Sequence, residues 1–166
     1  NSYLANDESL AAFYGVAYVN DSKPVTKTGE AASSTVVLRR PFAQVNIGTL
    51  NTSTEYDVVL YRSKVTLSDV PTVFNVATSA VDEESSMTFE FNAVPADPAT
   101  LTVNNNPYEW AAMNYMFAGA EGRTAEVSYK INAQMTTQNG DPIDEVKLNK
   151  TVLNVPLKEN YRTNIL

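Results

Sequence analysis

The sequence predicts an all-β protein: an antiparallel β-sandwich with helix confined to short turns. Two segments alternate apolar and polar residues without a fault, Met87 to Ala93 and Val127 to Met135. Such period-two alternation lays one face on a core and the other in water, as in an antiparallel sheet with a single buried face. In two further strands the inward phase slips by one residue part-way along. A slip of one needs a bulge or a bend, as where a strand turns the corner of a sandwich.

Taken in order, Asp7 to Gly15 opens with acidic residues and stops at a glycine, the pattern of one or two helical turns. Ser33-Ser34 reads as loop. Val36 and Leu38 share one phase and Ala43, Val45 and Ile47 the other, so the first slip falls near Arg40 and Pro41, with Pro41 at an edge or at the bend itself. Val59, Tyr61, Val65 and Leu67 occupy one side of the next strand, with Arg62 and Lys64 on the other. Asn104 to Asn106 is a second loop. Between the strands of residues 125 to 136 and 146 to 157, Asn139-Gly140 tolerates positive φ and predicts a hairpin with an extended tip over Thr137 to Glu145. The second slip separates Val146 and Leu148 from Leu153, Val155 and Leu157, around Lys150 and Thr151. The expected core comprises Phe89, Phe91, Val127, Tyr129, Ile131, Val45, Ile47 and Leu153.

Length and composition narrow the function classes. At 166 residues the chain is expected to form one domain over 1–166, burying roughly two-thirds of its unfolded surface. Only 19% of residues are charged, and Asn, Ser and Thr take up the polar share, which suits exposed strand faces of an extracellular β-protein. The net charge is −7, with no basic stripe, which disfavours nucleic acid and anionic membrane as partners. There is neither Cys nor His, which removes disulfides, thiol chemistry and the commonest general base and metal ligand. No catalytic, cofactor-binding or metal-binding residues are expected, and no enzymatic activity. No apolar run approaches the roughly 20 residues that cross a bilayer. Starting at Asn1 without a signal-like segment, the chain reads as a mature form or a fragment of a longer precursor.

Each remaining cluster has a plain reading. Asp82-Glu83-Glu84 reads as an exposed acidic turn, because adjacent carboxylates on an extended chain do not face one centre. Asn139 to Glu145 places oxygens at spacings that resemble a calcium loop but lacks the full alternating pattern, so it reads as a hairpin loop. Tyr108, Trp110, Tyr115 and Phe117 form either a sugar-stacking platform or, as expected here, packing for the core or a sheet edge. The Asn-x-Ser/Thr triplets at Asn20, Asn51 and Asn149 carry no assigned function. Arg39 and Arg40 read as charges guarding a sheet edge. Arg162 is expected to act structurally, near a carboxylate at the sheet end.

Two segments carry more than composition: LRRPFAQVNIGT, from Leu38 to Thr49, and VPLKENYRTNIL, from Val155 to Leu166. With Val70 to Asn75 and Ala112 to Tyr115 between them, they resemble, in colinear order, the fimbrillin-like surface lipoproteins of Bacteroidales. That resemblance implies a transthyretin-like Greek-key β-sandwich and a structural pilin or fimbrial subunit at the cell surface. It also implies anchoring at the outer membrane or in a fimbria, and neighbouring pilin subunits as partners through β-strand addition. The alternative is a non-polymerising surface lipoprotein or tip adhesin that binds glycan or host protein through its loops. The segment Tyr161 to Leu166 opens a β-like run that the resemblance extends, so the sheet is expected to be completed by a strand from outside residues 1 to 166. A bare apolar edge leaves backbone groups without partners.

Overall fold

The computed structural model describes residues 12–19, 23–24, 35–50, 56–95 and 100–166. Among them the strands run β1 (Tyr18–Val19), β2 (Lys23–Pro24), β3 (Phe42–Thr49), β4 (Tyr56–Asn75), β5 (Ala80–Phe91), β6 (Thr100–Val103), β7 (Asn106–Phe117), β8 (Arg123–Thr137), β9 (Pro142–Leu157) and β10 (Arg162–Ile165). No helix occurs among the described residues. Sheet I has the order β10-β3-β7-β6 and sheet II the order β5-β4-β8-β9, while β1 and β2 pair with each other.

All pairings are antiparallel except one: β10 runs parallel to β3, with Thr163 opposite Val45 and Ile165 opposite Ile47. A parallel neighbour needs a crossover, and here the chain makes it by changing sheets. Strand β9 ends in sheet II at Leu157, and β10 begins in sheet I at Arg162. The step between them turns at Asn160, whose φ is +65°. It is tied down by hydrogen bonds from Asn160 N to the Phe42 carbonyl at 2.9 Å and from Gln44 N to the Tyr161 carbonyl at 3.0 Å. The segments Leu38 to Thr49 and Val155 to Leu166 thus come together: β3 belongs to one and β10 to the other.

The core lies between the sheets, with Val45, Ile47, Ala112 and Met116 from sheet I against Val65, Leu67, Val127 and Ile131 from sheet II. Phe89, Tyr129, Val155 and Leu157 belong to the same cluster. Of the expected core, Phe91 is half-buried against this cluster. Leu153 is instead 63% exposed.

The second phase slip exists, a few residues beyond where it was expected, whereas the first, near Arg40 and Pro41, does not, because β3 begins only at Phe42. In β9 the register against β8 jumps from Val152↔Val127 to Val155↔Ala125, so Leu153 and Asn154 form the bulge. Asn154 takes φ +57°, a conformation Asn adopts more readily than β-branched residues. Leu153 is thrown outward by this bulge, while Val155 and Leu157 turn in. In β4 a further slip falls between Leu60 and Arg62. Leu60 packs against the core before it and Ser63, Val65 and Leu67 are buried after it, so Val59 and Tyr61 stay exposed. In β3 the irregularity sits between Ile47 and Gly48, beyond Pro41. Val36 and Leu38 are exposed and precede the strand. Strand β3 is central and buried on both faces. A Cβ built on Gly48 would meet Leu101 Cδ2 at 3.0 Å, Leu166 Cδ2 at 3.1 Å and Tyr108 Cβ at 3.3 Å, which explains why the position lacks a side chain.

The helical turn expected over Asp7 to Gly15 lies partly outside the described residues. Its described part is not helical, because Tyr14 exchanges two backbone hydrogen bonds with Arg39, at 2.9 and 2.8 Å. The β8–β9 hairpin is tighter than expected, turning between Thr137 and Pro142 with Gly140 at φ +86°.

Candidate assembly groove

Along one side of the sandwich the two sheets present their edge strands together, β9 from sheet II and β10 from sheet I. No further strand among the described residues pairs with the outer side of either. Between them runs a shallow groove of about 520 Å³ lined by Val152, Leu153, Val155, Pro156, Ile165 and Leu166, among others. The hydroxyl of Thr163 donates to the Pro156 carbonyl at 2.6 Å and pins the strands together at the groove's floor. Leu153 and Leu166, 63% and 53% exposed, stand on its walls.

The apolar strip continues along β9 beyond the groove. Val146 is opposite Ala133 and Leu148 opposite Ile131, and directly opposed residues share a face, so both point to the core side of the sheet. They nevertheless remain exposed. In the facing sheet β3 has 8 residues, against 16 in β9. An edge strand with free backbone groups and an apolar flank is a template for an added strand.

A buried carboxylate holds the base of this seam. Glu159, in the turn before β10, is 6% exposed. It accepts the Tyr14 hydroxyl at 3.1 Å and pairs with Arg39 at 3.5 Å. The Tyr14 ring meets Phe74 edge-on at 4.8 Å, and Phe74, Phe117 and Phe42 stack in series at 5.6 and 5.1 Å. Residues 12–14 and 35–40 are thereby clasped to the turn that launches β10. The arginines expected to guard a sheet edge act differently: Arg39 is part of the clasp, and Arg40 lies over the Phe13 ring at 5.2 Å.

The other sequence candidates are dispersed. Asp82, Glu83 and Glu84 lie within β5 rather than in a turn, exposed, with Glu83 at φ +55° and Glu84 paired to Arg123. In the segment read as a plain hairpin loop rather than a calcium loop, Asp144 accepts the Glu145 amide at 2.8 Å. Glu145 is held by Tyr61, Asn132 and Lys147 at 2.7, 2.8 and 3.2 Å. Those three donors, the Tyr61 hydroxyl first, hold its carboxyl down at about 2. The oxygens therefore face different partners and do not converge. Among the described residues no group of three or more acidic side chains gathers where a metal ion would sit. The aromatics serve packing: Trp110 is buried with Leu101 and Met113, Tyr108 and Tyr115 pack on that cluster, and Phe117 sits in the ring stack. Asn149 is exposed on β9, while Asn20 and Asn51 lie outside the described residues. Arg162 stands opposite Gln44 in β10.

A family model described as a family of unknown function, DUF6562, matches residues 1–166. The chain belongs to that family. No curated protein and no solved structure matches this DUF6562 chain. Two features of the groove escaped the sequence reading, the outward turn of Leu153 and the clasp of Tyr14 on Glu159. The first had a local signal in Asn154, a residue tolerant of positive φ. The second joins residues 145 apart in sequence and has none.

Proposed function

We propose that this DUF6562 domain is a structural subunit of a cell-surface fibre, joined to its neighbours by β-strand addition at the β9–β10 seam. The observation that carries the reading is the groove itself, where two adjacent sheet edges flank exposed Leu153 and Leu166. An extended segment lying there would satisfy backbone donors and acceptors and cover the leucines in one step. Two resemblances to fimbrillin-like proteins support it. The segment Val155 to Leu166 supplies the end of β9, the turn and β10, which flank the groove, and the segment Leu38 to Thr49 supplies β3, the strand on which β10 pairs. Export to the outer surface and anchoring there belong to the same proposal, and the role is mechanical rather than catalytic.

The test is assembly of the full-length protein after protease treatment, followed by negative-stain electron microscopy and by gels of unboiled samples. Fibres and a ladder resistant to detergent are expected, since strand-added polymers unfold slowly. A protein that stays monomeric at every concentration, with groove residues that respond to no partner strand, would overturn the reading and favour a lone surface adhesin.

A further inference from the structure

The outer face of sheet II carries a charge arrangement that folding alone disfavours. Lys64 and Lys130 are direct cross-strand partners on β4 and β8. Like charges placed opposite each other destabilise a sheet. Arg62 and Lys147 lie in the next row, joined through Asn132, so Lys130 has cations opposite it and on both diagonals. The two carboxylates flanking this patch are already engaged. Glu90 takes Arg62 at 2.6 Å and Lys64 at 3.7 Å, and Glu145 takes Lys147 at 3.2 Å. Among the described residues Lys130 has no ion-pair partner, although the chain as a whole carries −7.

Beside these cations runs a row of hydroxyls across all four strands, Thr88, Thr66, Ser128 and Thr151. Thr66 bonds Thr88 at 2.9 Å and Ser128 bonds Thr151 at 2.8 Å, which leaves each oxygen spare hydrogen-bonding capacity. A shallow groove of about 390 Å³ lies over both rows, lined by Lys64, Thr66, Ser128, Lys130, Asn149 and Thr151. Lys150 stands at its rim, and Tyr129, at its floor, is 8% exposed and belongs to the core.

We propose that this platform binds an acidic saccharide, with a sulfate or carboxylate group on Lys130 and Lys64 and sugar hydroxyls on the Thr66, Ser128 and Thr151 row. The surplus cation calls for an anion. The ligand is a sugar rather than a lipid or an apolar peptide because the wall offers hydroxyls, an amide and ammonium groups and no open apolar side chain. Lysine ammonium groups, which are compact point charges, suit a monodentate anionic substituent. The site uses the flat of sheet II and the assembly reading uses the seam, and the two adjoin at Lys150 and Thr151 of β9, which line both grooves.

The experiment is calorimetric titration of the monomeric protein with a sulfated heparin tetrasaccharide, with inorganic sulfate and with neutral maltotetraose. Amide shifts are recorded in parallel by NMR. Binding of the tetrasaccharide but not of maltotetraose is expected, with shifts centred on Thr66, Ser128, Lys130 and Asn149. Lys130→Gln should weaken it by about tenfold or more, the scale of a lost charge-assisted hydrogen bond. Lys158→Gln, which removes the same charge from the turn before β10, should leave it within about twofold by the same scale. Thr66→Val with Thr151→Val should weaken the tetrasaccharide and spare sulfate. Without ligand, Lys130→Gln should melt at a slightly higher temperature, because the like-charge pair is relieved while binding is lost. The proposal is overturned if the tetrasaccharide does not bind, or if the two lysine variants lose affinity equally. It is also overturned if a peptide copying Ala80–Phe91 competes at equal affinity, which would assign the patch to an acidic strand of a second copy.

Discussion

Leu153 and Leu157 lie on one strand with opposite surroundings, and substituting each separates folding from assembly. Leu157 is 1% exposed and sits in the inter-sheet core. Leu157→Ala should therefore cost the folded domain about 2–5 kcal/mol, as for other buried leucines. Leu153 is 63% exposed, so only about a third of its burial is realised within the domain. Full burial of a leucine contributes about 1.5–3 kcal/mol, of which roughly 0.5–1 is already present and roughly 1–2 is left for a partner strand. Leu153→Ser should thus shift the urea midpoint little, yet weaken self-association by about 5- to 30-fold. Urea unfolding followed by circular dichroism reads the first quantity, and sedimentation velocity over a concentration series reads the second. If Leu153→Ser lowers the urea midpoint as far as Leu157→Ala, the outward bulge at Asn154 is wrong. If it leaves association unchanged, the groove is not the contact.

Three further outcomes follow from the electrostatics. Glu159→Ala removes the acceptor of Tyr14 and the counter-ion of Arg39, at a cost of about 1–3 kcal/mol. Hydrogen exchange should show the Gln44 and Asn160 amides opening sooner, and unchanged protection there would refute the clasp. Glu145 is depressed to about 2, chiefly by the Tyr61 hydroxyl, so its contribution is present above the ordinary carboxylate range near ~4.3 and lost as pH falls through about 2. In an NMR titration Tyr61→Phe should move its midpoint upward; an ordinary midpoint in the unsubstituted protein would contradict the network. Glu109 is shifted the other way, raised by burial and then by Asp57. Its charged form opposes folding at neutral pH, and the penalty fades as pH falls through its raised value. Glu109→Gln should consequently melt higher at neutral pH, with the gain vanishing once the unfolded carboxylate is also protonated; a lower melting temperature would count against it.

The strands most legible in the sequence are those with simple surroundings. In β8, Val127, Tyr129, Ile131 and Ala133 alternate and are all buried, because the strand is flanked on both sides and covered by the opposite sheet. Phe89 in β5 is also buried, although that strand lies at the edge of sheet II. In β4 the same logic fails, since Val59, Tyr61, Val65 and Leu67 share one parity and read as one face. The bulge after Leu60 divides them: before it Leu60 takes the inward position and Val59 and Tyr61 face out, and after it Ser63, in phase with Val65 and Leu67, is fully buried with no hydrogen-bond partner for its hydroxyl among the described residues. Apolar pattern cannot announce a bulge that turns Val59 and Tyr61 outward. In β9 the slip was legible but displaced by a few residues, because Lys150 and Thr151 break the apolar run while Asn154 accommodates the backbone.

The groove was legible only in outline, for a physical reason. Val146 and Leu148 alternate like core residues and do face the core side of their sheet, yet both are exposed. Alternation encodes which face of a strand is apolar; it does not encode how far the opposite sheet extends. That extent belongs to other strands: β3, in the facing sheet, has 8 residues against 16 in β9. An apolar residue that a longer sheet I would have buried becomes a residue offered to a partner. The step from core pattern to interface therefore rests on how far the facing sheet reaches, which the alternation within β9 does not record.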